Sequence, residues 1–284
     1  MHLTLSPART TRKAAAATNA AHARSASDPC HPALARLEGA VRALRAWSYC
    51  CCCGGAACSS SSSSGYGLAL LEAALAALGE TLATPRASAA FHGADDDQAL
   101  DGFLVLADAY GTFGATLLAA RQGVADAQAG ARRGDGAALA ASARAHRRID
   151  KELRHLAAAM RHASRHAVAA TVPTSPDATG AEVVSVVASA TVAAAEASAV
   201  IFSRCAAMSP DVSAMAHTVS SHKWLARLGV GPAASKVAPE TASAALERLE
   251  ELEECIAGLE SGSEKVFRRL LQARVLLLNI HNPL

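Results

Sequence analysis

The sequence predicts an all-α fold, an elongated multi-helix bundle with a long C-terminal helix, and three observations lead there. Hydrophobic residues make up 51% of the chain but aromatic residues only 4%. The apolar content is therefore mostly Ala, Leu and Val, and alanine is the strongest intrinsic helix former, whereas strands draw on the scarcer aromatic and β-branched residues. Leucines recur at steps of three and four along several segments, the spacing of one helix face. Pro, Gly and Ser punctuate the stretches between those segments.

Taken in order, residues 1–29 read as a disordered basic tail. Arg9, Arg12, Lys13 and Arg24 occur with no acid before Asp28, among Ser and Thr, a composition shared with plastid or mitochondrial transit peptides. A helical domain is expected over 30–284. Its first helix follows Pro32, carries Leu34, Leu37, Val41 and Leu44 on one face, and is expected to end near Trp47. A Cys/Ser-rich linker at 48–66 comes next, with Cys50 to Cys53 consecutive and serine at every position from Ser59 to Ser64. Order is expected to resume after Gly67, where Leu68, Leu71, Leu75, Leu78 and Leu82 form a stripe that Pro85 stops.

A third helix is expected to start in the acidic cluster Asp95 to Asp97 and to run through Leu100, Leu104, Phe113 and Leu117. A fourth, from Gly136 to about Ala170, presents Leu139, Ile149, Leu153, Leu156 and Met160 to the core. The fifth segment, Ala181 to Met208, is interrupted only by Glu196 between Glu182 and Arg204, so it also fits an integral membrane protein spanning through 181–208. A mid-span Glu costs roughly 2.5 to 3.5 kcal/mol on insertion scales, and Ala and Ser offset little of it, so a buried central helix is expected. A shorter helix is expected around Val212 to Leu228. The last starts near Pro239 and keeps Leu246, Leu249, Leu252, Ile256, Leu259, Val266, Leu270 and Leu277 on one seam. Gly258 and Gly262 break its propensity, for which close approach of a neighbouring helix would compensate.

Charge and cysteine content bound the function. A net charge of +2 gives no reason to expect nucleic acid as the partner of the whole molecule. Four consecutive cysteines among eight cannot act as spaced disulfide staples, and no compact apolar run near Met1 resembles a secretory signal. Reduced thiols and an intracellular location, cytoplasmic or at a membrane surface, are expected.

The C-terminal stretch LEELEECIAGLESGSEKVFRRLLQARVLLLNI, Leu249 to Ile280, resembles the signature of the plant BYPASS-like family, which contains the domain of unknown function 241. LDGFLVLADAYGT at Leu100 to Thr112 is similar to that family's central motif, and HPALARLEGAVRAL at His31 to Leu44 to its opening helix. Ser263 departs from the pattern, standing where an apolar residue is expected. The resemblance implies a regulator without known catalytic activity whose relatives influence root and shoot development. It supplies no active-site residues to carry over.

The residues themselves offer no enzyme site either. No Walker-type glycine loop and no GxSxG elbow occurs. The acidic runs read as helix starts and solvated faces, and no cofactor is expected. One rival reading is a metal-dependent protein or enzyme centred on His162 and His166, which stand one turn apart and are joined on the same face by His155. A basic interaction face on the same helix is the stronger candidate: Arg147, Arg148, Lys151, Arg154, Arg161 and Arg165, with Arg144 beside them. Base-stacking aromatics do not interleave with these cations, so a membrane surface or a protein partner of unknown identity is favoured over RNA. Cys50, Cys51, Cys52 and Cys53 are candidates for S-acylation, which would add a second membrane anchor.

Overall fold

A computed structural model describes residues 32–52, 62–92, 97–133, 135–170, 178–207 and 239–282. These form seven helices: α1 (Pro32–Cys52), α2 (Ser62–Leu82), α3 (Pro85–Phe91), α4 (Asp97–Arg133), α5 (Gly136–Ala170), α6 (Ala178–Ala207) and α7 (Pro239–His281). No strand occurs among the described residues. The all-α expectation holds, and α7, at 43 residues, extends roughly 65 Å at 1.5 Å per residue. The helix expected at Val212 to Leu228 lies outside the described residues.

Two helical hairpins, two single long helices and the short α3 make the bundle. α1 runs antiparallel to α2, with Arg36 paired to Glu80 near one end at 2.7 Å and Cys51 Sγ 3.6 Å from Ser63 Oγ near the other. The α4–α5 turn is tight. The Asp135 N–H bonds to the Gly130 carbonyl at 2.8 Å, while its carboxylate caps α5 by accepting from the N–H groups of Ala137 and Ala138 at 3.0 and 3.2 Å. α7 lies between α2 and α4, and α6 packs against α1, α2, α3, α4 and α5.

The small residues of α6 make this crowding feasible. Ala190, Ala193, Ala194, Ala197 and Ala199 are buried, so neighbouring backbones approach closely. Glu196, the charge that made a membrane span costly, is exposed in the bundle. Tyr110 of α4 and Phe202 of α6 anchor the same region, their rings 5.4 Å apart, with Phe113 4.6 Å from Phe202. Burial of the Tyr110 hydroxyl is compensated by Ser198 Oγ at 3.2 Å, and Ser198 donates in turn to the Ala194 carbonyl at 2.7 Å.

Four helix boundaries depart from the sequence expectation. α1 continues through Cys52 and α2 begins at Ser62, so part of the segment assigned to a 48–66 linker is helical. Short polar side chains make this workable: Ser48 donates to the Leu44 carbonyl at 3.0 Å, and Ser64 is buried in the core. Pro85 stops α2 but also opens α3. Thr84 is its N-cap, its hydroxyl accepting from the Ala87 N–H at 3.3 Å, and Pro85 occupies a first-turn position where no N–H is required. α4 persists to Arg133, well beyond Leu117.

Candidate interaction surface

α5 has two chemically distinct sides. Leu139, Ile149, Leu153, Leu156 and Met160 are all buried, as their spacing predicted. The opposite side exposes Arg144, Arg147, Arg148, Lys151, Arg154, Arg161 and Arg165, spread over roughly 30 Å of helix. Arg154 pairs with Asp150 at 2.9 Å, Arg161 donates to Ser203 Oγ at 3.2 Å, and Arg147 Nε donates to the Ala143 carbonyl at 3.3 Å. Among the described residues, the other cations of this face have no carboxylate within ion-pair distance. Guanidinium groups held this way can engage phosphate or carboxylate oxygens bidentately.

The three histidines singled out in the sequence also lie on the exposed side. His162 and His166 stack edge to face with ring centroids 4.2 Å apart, and His155 is exposed on the same helix. Among the described residues, no group of three or more His, Cys, Asp or Glu side chains is placed to share a metal ion.

Sequence reasoning missed the buried histidine, His146. It belongs to the core stripe with Ile149, Leu153, Leu156 and Met160 at helical steps of three and four, a signal present in the sequence. Burial lowers its pKa from the ordinary 6.5, opposed by a hydrogen bond to the Gly123 backbone. A Cβ added at Gly123 would sit 3.1 Å from His146 Nε2, and Ser142 Oγ donates to the Gly123 carbonyl at 2.7 Å. The nearby apolar cavity, beside Leu117, Ile149 and Cys205, measures about 20 Å³. That is space for about one water molecule and not for an organic substrate. The Cys205 thiol is pushed up to about 12, first by burial and then by neighbouring Cys255, so it stays protonated at neutral pH.

The candidate S-acylation residues occupy the end of α1. Cys50 is exposed, Cys51 is half-buried, Cys52 ends the helix and Cys53 lies outside the described residues. Tyr49 and Tyr66 flank this tip at 75% and 59% exposure. Trp47, one turn back, belongs instead to the core: its ring lies where a Cβ on Gly67 would fall, at 2.3 Å. The hydrogen bond between Ser64 and Cys205 and the contact from Arg161 to Ser203 place this tip and the C-terminal end of the basic face at one level along α6.

Helices α2, α4 and α6 contain stretches long and apolar enough to cross a membrane by length and composition. In the bundle these stretches pack on other helices, with 44%, 50% and 61% of each window buried.

A family model described as Protein BPS1 matches residues 67–280. The match begins at Gly67, the glycine beneath Trp47, and covers both the Leu100–Thr112 and the Leu249–Ile280 motifs. No curated protein and no solved structure matches the chain.

Proposed function

The chain belongs to the BPS1 family, and on that premise we propose that it is a non-catalytic helical scaffold that docks on an anionic membrane surface through the basic side of α5. The observation that carries this reading is the row of exposed cations from Arg144 to Arg165, backed by a fully packed apolar face. Such a helix presents its charge on a rigid support. Anionic leaflets attract juxtaposed Lys and Arg side chains over about a Debye length. α5 carries no Phe, Tyr or Trp, which supports lipid phosphate over stacked nucleobases as the counterpart.

A second contact comes from the α1 tip. S-acylation at Cys50 to Cys53 would add an acyl chain beside exposed Tyr49 and Tyr66, and a polybasic patch together with one lipid chain suffices for stable anchoring where either alone is marginal. The developmental role in root and shoot that the family resemblance implies would then be exerted from a membrane surface. In this reading α6 is the centre of the bundle, not a membrane span.

Membrane flotation of the full-length protein from plant cells tests the proposal. The parent chain is expected to float, a variant with Cys50, Cys51, Cys52 and Cys53 all changed to Ser to float weakly, and one also carrying Arg147→Glu, Arg148→Glu and Lys151→Glu to remain soluble. A parent chain that stays in the soluble fraction overturns the proposal. Retention of the parent after an alkaline carbonate wash would favour a membrane span instead.

A further inference from the structure

Between α2 and α7 lies an open groove of about 640 Å³. Ala76 and Gly79 of α2, with Ala83 just beyond its end, line one side with small residues, and Leu271, Val275 and Leu276 line its α7 side. Beside it, Leu271, Val275 and Leu278 are 39%, 54% and 39% exposed, at steps of four and three along α7. They form an apolar ridge that no helix among the described residues covers. A ridge next to a groove on one face is self-complementary, because a twofold rotation seats each copy's ridge in the other's groove.

The charges agree with that rotation. Glu80 and Arg269 stand on opposite walls of the groove, both substantially exposed, and their intrachain pairs with Arg36 and Glu72 leave carboxylate and guanidinium atoms at the surface for a second partner. α2 and α7 run parallel in a register fixed by two contacts: Glu72 to Arg269 at 3.8 Å, and the Leu276 side chain 3.9 Å from where a Cβ on Gly79 would stand. A twofold axis perpendicular to both helices, passing near Ala76 and Gln272, reverses the helix direction. It carries the partner's Arg269 to within a turn of Glu80, and the partner's Leu271 and Val275 over Gly79 and Ala76. We infer that the α2–α7 face is an isologous interface between two copies of this chain, with an apolar centre flanked by two symmetry-related Glu80–Arg269 bridges. The interface is independent of the basic side of α5, so a dimer would carry two such sides.

Sedimentation velocity of the full-length protein at tens of micromolar tests this. The parent chain is expected to sediment as a dimer and Val275→Asp as a monomer. Glu80→Arg or Arg269→Glu alone is expected to raise the dissociation constant at least about tenfold, since each change acts twice in a symmetric interface. The combined Glu80→Arg/Arg269→Glu variant is expected to recover the parent value. These side chains are exposed, so helical content and thermal midpoint serve as the folding control. A monomeric parent chain overturns the inference and leaves the groove to a different partner. So does a dimer indifferent to Val275→Asp, or a double variant no tighter than either single one.

Discussion

Trp47 and Gly67 illustrate how one residue's identity depends on another's absence of a side chain. The indole ring occupies the space beside Gly67, so Gly67→Ala must displace a rigid ring or move α1 from α2. Overpacking of this kind costs about 1 to 3 kcal/mol, and the expected readout is an equally large loss in chemical denaturation. Buried titratable groups set the pH limits. His146 is favoured in its neutral form when folded, so the stability it contributes is present above about 6.5 and is lost as pH falls below that value. Cys205 behaves oppositely: its folded pKa is raised from 9.0 to about 12, so its contribution holds below 9.0 and declines as pH rises through that window. Burial pushes the Tyr110 hydroxyl upward too, adding to the alkaline decline. The thermal midpoint is expected to be level between these limits and to fall on either side, with the step below 6.5 removed in His146→Leu. An acid step of unchanged size in that variant would assign it to other groups. The exposed histidines were legible as a helical row, whereas His146 was hidden by its type, because a polar residue on an apolar stripe looks like an interruption until its Gly123 partner is seen.

At the scale of elements, the antiparallel pairing of α4 and α7 gives the charge pattern of the last helix a second meaning. The acidic first half of α7 suits a helix N-terminus, but it also faces the cationic end of α4. Glu250 meets Arg132 at 3.5 Å, Glu253 accepts from Gln128 at 3.0 Å, and Glu260 meets Arg121 at 2.7 Å. Arg132, in the last turn of α4 where the helix dipole favours a cation, thus also serves as a partner between helices. The two glycines of α7 separate in the same way. A Cβ at Gly262 would lie 3.0 Å from Leu68 of α2, whereas one at Gly258 would meet nothing within 4 Å. Gly258→Ala is therefore expected to stabilise by about 1 kcal/mol through helix propensity alone, and Gly262→Ala to lose that gain to the clash. Equal effects at the two sites in urea unfolding would contradict the packing argument. Ser263, which stands where the family resemblance leads one to expect an apolar residue, is buried. Periodicity located the long helices because their stripes are continuous. It failed at α3, whose seven residues hold too few turns for a stripe to emerge and whose start depends on a Thr84 cap. It also ended α1 early, because Ser48 and Cys51 continue the inner face with side chains that look like linker.

For the whole molecule, the bundle was legible because alanine-rich composition and leucine spacing point to the same architecture, and the C-terminal motif identified the family. The basic side of α5 was legible as a run of cations, whereas the groove between α2 and α7 was not, since it depends on helix order set by contacts distant in sequence. The arrangement leaves the basic side of α5 in solvent and gives α6 a partner on nearly every flank. An electrostatic attachment of this kind weakens steeply with salt, whereas an apolar insertion does not. The most direct measurement is co-sedimentation of the purified, unacylated protein with vesicles containing phosphatidylserine, across a salt series. The parent chain is expected to bind at low ionic strength and to be released as salt rises, and Arg147→Glu/Arg148→Glu/Lys151→Glu/Arg154→Glu to bind at least about a hundredfold more weakly. Binding that ignores both salt and these four changes would contradict the account.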